Sequence, residues 1–202
     1  MNPQLIVEQK ITAFVNKYSV YAATADGKKG ELLALAQQKR VAFKEKVSFY
    51  SNDDKTKLVF TFRAEKVFDV HGRYIVEDAM GNFIGAFKKE FKKSLINSTW
   101  NILDADNNPT VTISESNQFL AVIRRFGGFI PIVGDLIDVI VLFFRYHFVF
   151  KKAGSDGAIG TYQKTTLFRD HYLLSMTDKA YAEQDWRVLA SVAVGLDALQ
   201  SR

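Results

Sequence analysis

The 202-residue chain contains no cysteine and only three prolines. Without thiols it can form no disulfide, no thiolate metal centre and no cysteine nucleophile, and it suits a reducing compartment. An excess of one charge sign is nearly missing too. There are 27 Lys and Arg against 22 Asp and Glu, a net charge of +5. A mild basic bias favours anionic partners in general and does not choose among phospholipid head groups, nucleic acid and acidic proteins. The opening "MNPQLIVEQKI" has neither a basic leader region nor more than three consecutive apolar residues, so no signal peptide is expected.

One run is long enough to test as a membrane span: "FGGFIPIVGDLIDVIVLFF", Phe126 to Phe144, 19 residues against the ~20 that spanning needs. Asp135 and Asp138 near its middle would each cost about 2.5 to 3.5 kcal/mol at a bilayer centre. Pro131 and three glycines weaken it further, so a span is not expected. Catalytic signatures are missing as well. There is no nucleophile elbow, phosphate-cradling glycine loop or HExxH. His71, His147 and His171 are too dispersed to suggest a metal triad, and His147 alternates onto the face of Arg145, where it is expected to be exposed. Asp53 and Asp54 lie in a lysine-flanked turn that reads as solvated. No catalytic residue, cofactor or metal site is therefore expected.

What the chain does have is hydrophobic matter, 48% of its residues, with 17 phenylalanines. Much of it alternates. "RVAFKEKVSFY" puts Val41, Phe43, Val47 and Phe49 on one face, and "KLVFTFR" does the same with Leu58, Phe60 and Phe62. "TVTIS" pairs Val111 with Ile113, and "FFRYHFVFK" aligns Phe144, Tyr146, Phe148 and Phe150. Between such segments lie "ADGKKG", "SNDDKTK", "DAMGNF", "DADNNPT" and "AGSDGAIG", rich in residues that tolerate tight or left-handed backbone. "YSVYAATADGKKGEL" and "YIVEDAMGNFIGAF" look like two versions of one hairpin. Roughly a dozen strands follow from these patterns, with a short helix predicted near residues 131–141.

The closing stretch "DWRVLASVAVGLDALQSR" differs from the rest. From Val188 to Leu196 it carries no charge, and Ser191 is its only hydroxyl. As a helix begun by Asp185 it would be apolar around its whole circumference, about 24 Å long to Gln200. A closed antiparallel sheet whose strands have about that length would bury it on every side. The expected fold is thus mainly β, a closed barrel of about twelve strands around a buried C-terminal helix, in one domain over residues 1–202.

Specific segments carry a family resemblance. They are "YIVEDAMGNFIGAFKK" (Tyr74 to Lys89), "STWNILDADNNP" (Ser98 to Pro109), "YHFVF", "GAIGTYQK", "RDHYLL" and the terminal helix with Asp197. In these the chain resembles the LURP-one-related group, which belongs with Tubby C-terminal domains and phospholipid scramblases. The resemblance implies the same plugged barrel. Tubby-like domains bind phosphoinositides and scramblases respond to calcium, so it also implies a lipid-facing role. "DADNNPTVTISE" has oxygen ligands at EF-hand spacing in Asp104, Asp106, Asn108 and Glu115. Pro109 sits where that loop needs glycine, however, so a hairpin turn is expected there.

The surface with most functional promise is "FKKEFKKS", where Lys88, Lys89, Lys92 and Lys93 are interleaved with Phe87 and Phe91. Near an anionic membrane each lysine contributes about 1 kcal/mol. Arg124 and Arg125 would extend that footprint, and Phe126, Phe129, Ile130, Ile132 and Ile137 would supply apolar contact with a membrane or a partner. The competing explanation of the lysines is protection of a strand edge. The expected function is a non-enzymatic module binding anionic phospholipid at a cytoplasmic membrane face. The alternatives are a protein-interaction or scaffold domain that docks a partner or a second copy of the chain through residues 126–144, and, less favoured, scramblase-like lipid translocation. A nucleic-acid partner is not expected.

Overall fold

A computed structural model describes residues 1–11, 15–39, 46–65, 72–90, 98–116, 147–166 and 170–200. Its first six strands are β1 (Asn2–Ile11), β2 (Val15–Ala23), β3 (Lys29–Lys39), β4 (Val47–Tyr50), β5 (Leu58–Ala64) and β6 (Arg73–Asp78). Then follow β7 (Phe83–Lys89), β8 (Thr99–Leu103), β9 (Pro109–Glu115), β10 (His147–Lys152), β11 (Ala158–Lys164) and β12 (Asp170–Met176). A short helix α1 (Asp178–Ala182) leads into α2 (Trp186–Gln200). Each strand pairs antiparallel with its sequence neighbours, and β12 returns to pair with β1 from Asn2↔Met176 to Gln9↔Asp170. The sheet is therefore a closed up-and-down barrel with no free edge, as the alternation predicted.

The predicted faces hold where the strands are regular. Val47, Phe49, Phe60, Phe62, Val111, Ile113, Phe148 and Phe150 all lie in one core cluster. Leu58 departs from this. It is half-buried and outside the core, beyond a register shift between Phe49 and Tyr50, and Val59 packs on the core instead. Outward faces carry ion pairs such as Arg63 with Glu77 at 2.8 Å and Arg73 with Glu65 at 3.3 Å. Apolar inside and charged outside is the reverse of a barrel that crosses a membrane.

Three hairpins share one turn design, which accounts for the repeat in the sequence. In β6–β7, Asp78 Oδ1 accepts from the amides of Met80 and Asn82, both at 2.9 Å. In β8–β9, Asp104 Oδ1 accepts from Asp106 and Asn108, at 2.9 and 2.8 Å. In β2–β3 the hydroxyl of Thr24 takes the same place, accepting from the Lys28 amide at 3.0 Å. The fourth residue of each turn has positive φ: Gly27 at 74°, Gly81 at 88° and Asn107 at 68°. Asp104 thus spends its carboxylate on its own backbone, and "DADNN" is a hairpin turn as expected.

Inside the barrel lies α2. Residues 188–198 are buried without interruption, which answers the apolar circumference of the sequence. Asp185 caps the helix as predicted, its Oδ1 accepting from the Arg187 amide at 2.8 Å. Trp186 meets Phe60 edge-on at 5.6 Å between ring centroids, and Tyr18, Tyr162 and Tyr172 reach the helix from the far side. The wall makes room where it must. A Cβ at Gly85 would stand 2.6 Å from Cγ2 of Val188. The predicted helix near 131–141 falls outside the described residues.

That contact gives a direct test of the plug. Gly85→Ala should destabilise the protein by about 1 to 3 kcal/mol through overpacking. Adding Val188→Ala should restore part of the loss, because the stiff branched side chain causes the clash. Chemical denaturation of both variants measures it, and an additive double variant would contradict the contact.

Candidate functional site

Alternation of the chain through a closed meander sends its connections to two ends. The turns of β2–β3, β4–β5, β6–β7, β8–β9 and β10–β11 lie at one, together with α1 and the start of α2. The connections β1–β2, β3–β4, β5–β6, β7–β8, β9–β10 and β11–β12 lie at the other, here the loop end. Charge divides the same way. At the turn end, residues 21–34, 50–60, 77–84, 103–109, 151–158 and 177–187 hold twelve acidic side chains against eight basic. The other described residues hold nine basic against six acidic, so among the described residues the turn end is net negative and the loop-end half net positive.

The predicted lysine cluster begins at that end. Lys88 is exposed on the outer wall of β7, directly across from Arg73 on β6 and Asn101 on β8. Lys89 points the other way along the pleat, its Nζ 5.6 Å from the ring centroid of buried Trp100. Phe87, expected among the surface lysines, is instead fully buried, stacked on Tyr74 with centroids 5.1 Å apart. It belongs to the core because the β7 pleat puts it on the same face as Gly85, which lines the plug. Glu90 is held by Asn101, whose Nδ2 donates at 2.9 Å. Since β7 is hydrogen-bonded on both sides, the lysines there guard no edge. Lys92, Lys93, Arg124, Arg125, Phe126, Phe129, Ile130, Ile132 and Ile137 lie outside the described residues. The strand ends that bracket them belong to the loop end.

Also toward the loop end, inside the wall, is a group that periodicity does not reveal. Asp197 is 7% exposed on an otherwise apolar helix. Its Oδ2 accepts from the Tyr18 hydroxyl at 3.0 Å and its Oδ1 from the Tyr172 hydroxyl at 2.9 Å. Tyr18 in turn accepts from Gln9 Nε2 at 3.1 Å, and Tyr162 stacks on Tyr172 at 5.3 Å. These partners come from β1, β2, β11 and β12, the strands on both sides of the closing seam. Burial pushes the Asp197 carboxyl up to about 6, and the two tyrosine hydrogen bonds only partly oppose it. Burial and the adjacent carboxylate likewise raise both tyrosines. The sequence signal was there: one acid in a helix whose neighbours are all apolar.

On the outside of the same seam, His171 stands opposite Glu8 in register, with Nε2 3.5 Å from Oε1. Its Nδ1 is 2.6 Å from the Thr165 hydroxyl, and Glu8 also meets Lys29 at 3.0 Å. His147 corrects an expectation. It is 8% exposed rather than open to solvent, and burial lowers its basicity. Outward alternation did not ensure exposure there. His71 lies outside the described residues. Among the described residues no three His, Cys, Asp or Glu side chains are grouped to hold a metal ion.

Fold and site together define a closed twelve-stranded antiparallel barrel, plugged by its C-terminal helix and electrically polar from end to end. No protein-family model and no curated protein sequence matches the chain.

Asp197 has a pH signature of known sign. Its pKa is raised from ~3.9 unfolded to about 6 folded. Its ionisation therefore opposes folding, and the stability present at low pH is lost as pH rises through 6. The loss is on the order of 3 kcal/mol. Asp197→Asn keeps one acceptor for a tyrosine hydroxyl and carries no charge. Its melting temperature minus that of the parent should be positive at pH 7.5 and fall toward zero or below by pH 4. A difference constant across that range would contradict the buried charge.

Proposed function

We propose that this protein is a non-enzymatic module that associates with anionic phospholipid through the loop end of its barrel, at a cytoplasmic membrane face. The observation that carries the reading is the charge polarity. Among the described residues, acids outnumber bases at the turn end and bases outnumber acids toward the loop end, where Lys88 lies. Such a dipole orients a particle toward an anionic surface before any specific contact forms. Lys88 is exposed there and serves no edge, so the common structural explanation of a lysine cluster does not apply to it. The resemblance to Tubby-like and LURP-one-related proteins supports the same reading. A non-enzymatic role fits an interior filled by a helix, which leaves the barrel axis no room for a substrate.

Co-sedimentation with liposomes tests it. Binding should require anionic lipid and should weaken between low and moderate salt, as surface charge is screened. Replacing Lys88, Lys92 and Lys93 together by Glu should lower the affinity at least tenfold, at about 1 kcal/mol for each charge. Equal binding to neutral and anionic vesicles would sink the proposal. No binding to either would transfer the role of residues 126–144 to a protein partner or a second copy.

A further inference from the structure

At the opposite, acidic end, the barrel mouth is not sealed. A groove of about 570 Å³ opens between α1, the start of β9, the end of β10 and the start of β11. Its floor is apolar and reaches the core: Val111 is 2% and Ala180 6% exposed, with Ile159 packed against the core beside them. The opening has a cause in the sequence. α1 turns only Ala180 fully into the protein, and the hairpin side offers Ala153, so two of the smallest side chains face each other where larger ones would close the gap. The rim is polar, with Thr110, Thr177 and Gln184.

Three charged residues line the groove, and their balance selects a ligand. Lys152 and Lys179 are exposed, and neither makes an ion pair among the described residues. Glu183, which caps the end of α1, opposes them. The remainder is one net positive charge over an apolar floor, within an end of the molecule that is otherwise acidic. Barrel mouths with an apolar lining and a few convergent polar groups are recurrent ligand sites, typically of about 300 to 1,000 Å³. A dianionic phosphate would meet Glu183 and the surrounding acids uncompensated. A cation would meet the two lysines.

We propose that this mouth groove binds a small amphipathic monocarboxylate, its carboxylate between Lys152 and Lys179 and its hydrocarbon part over Val111, Ile159 and Ala180. The site is independent of the loop-end lipid reading and stands if that reading fails.

Calorimetric titration of the whole protein with octanoate, octanol and octyl phosphate tests the proposal. Octanoate should bind at least tenfold more tightly than the other two. Lys152→Met with Lys179→Met should remove that preference while leaving octanol unaffected. Ala153→Trp, which adds bulk at a half-exposed position, should abolish octanoate binding without lowering the melting temperature. Octanoate no tighter than octanol, or binding that survives Ala153→Trp, would overturn the proposal. Tighter octyl phosphate would overturn the monocarboxylate assignment. If Ala153→Trp unfolds the protein, Ile159→Ala replaces it: loss of floor contact must weaken octanoate, and unchanged binding overturns the site.

Discussion

Everything in this structure depends on burying one helix on all of its sides. Val188, Leu189, Val192, Val194 and Leu196 are each at most 3% exposed. Large aliphatic side chains gain about 2 kcal/mol apiece on burial, so these five contribute about 10 kcal/mol. That is comparable with the whole net stability of an ordinary domain. The barrel and its plug are thus one core, because strand faces rich in phenylalanine need filling and the helix needs a wall. Closure follows from the same requirement. An open sheet would leave part of the helix wet, whereas the β12–β1 ladder completes the wall and removes the last edge.

Closure in turn frees the outer surface. In an open sheet, charged side chains at an edge are needed to prevent pairing with other chains; in a closed barrel, charge can be arranged for other purposes. Here it is arranged along the axis, acids toward the tight hairpin turns and bases toward the longer connections. Part of the acidic end is structural. Asp78 and Asp104 hold their own turns, and Asp185 starts the plug helix. The bases at the loop end have fewer such duties. Asp197 is the counterexample inside the core, a carboxylate kept in an apolar space by two tyrosine hydroxyls. It ties the inner part of the plug to β2 and β12, on either side of β1, at an electrostatic expense that a neutral residue would avoid.

Much of the architecture could be read from residues alone. Period-two alternation marked Phe60 with Phe62 and Phe148 with Phe150, and the charge-free run after Arg187 demanded a surrounding wall. Clusters of Gly, Asn and Asp between the alternating segments announced the hairpins. Failures came where local pattern meets a non-local event. Leu58 lost its inward place to a register shift, which alternation within one strand does not encode. His147 was placed outside correctly by the pleat, yet an outward residue is exposed only if nothing else covers it. Phe87 looked like a surface aromatic because it sits among lysines, but its neighbours along the strand face the opposite side. The polarity of the barrel was invisible in a modest net charge, since it appears only when the meander sorts the connections to two ends. The acidic-end groove was equally hidden, because Ala153 and Ala180 are far apart in sequence and unremarkable in type.

The central claim is that barrel and plug fold as a single unit. Its most direct measurement compares the whole chain with a version ending at Asp185, by near-ultraviolet circular dichroism and thermal melting. Without residues 186–202 the account expects the aromatic signal of the packed core to vanish and the cooperative melt with it. A truncated chain that keeps both would show that the strands close and pack without the helix, and would contradict the account at its base.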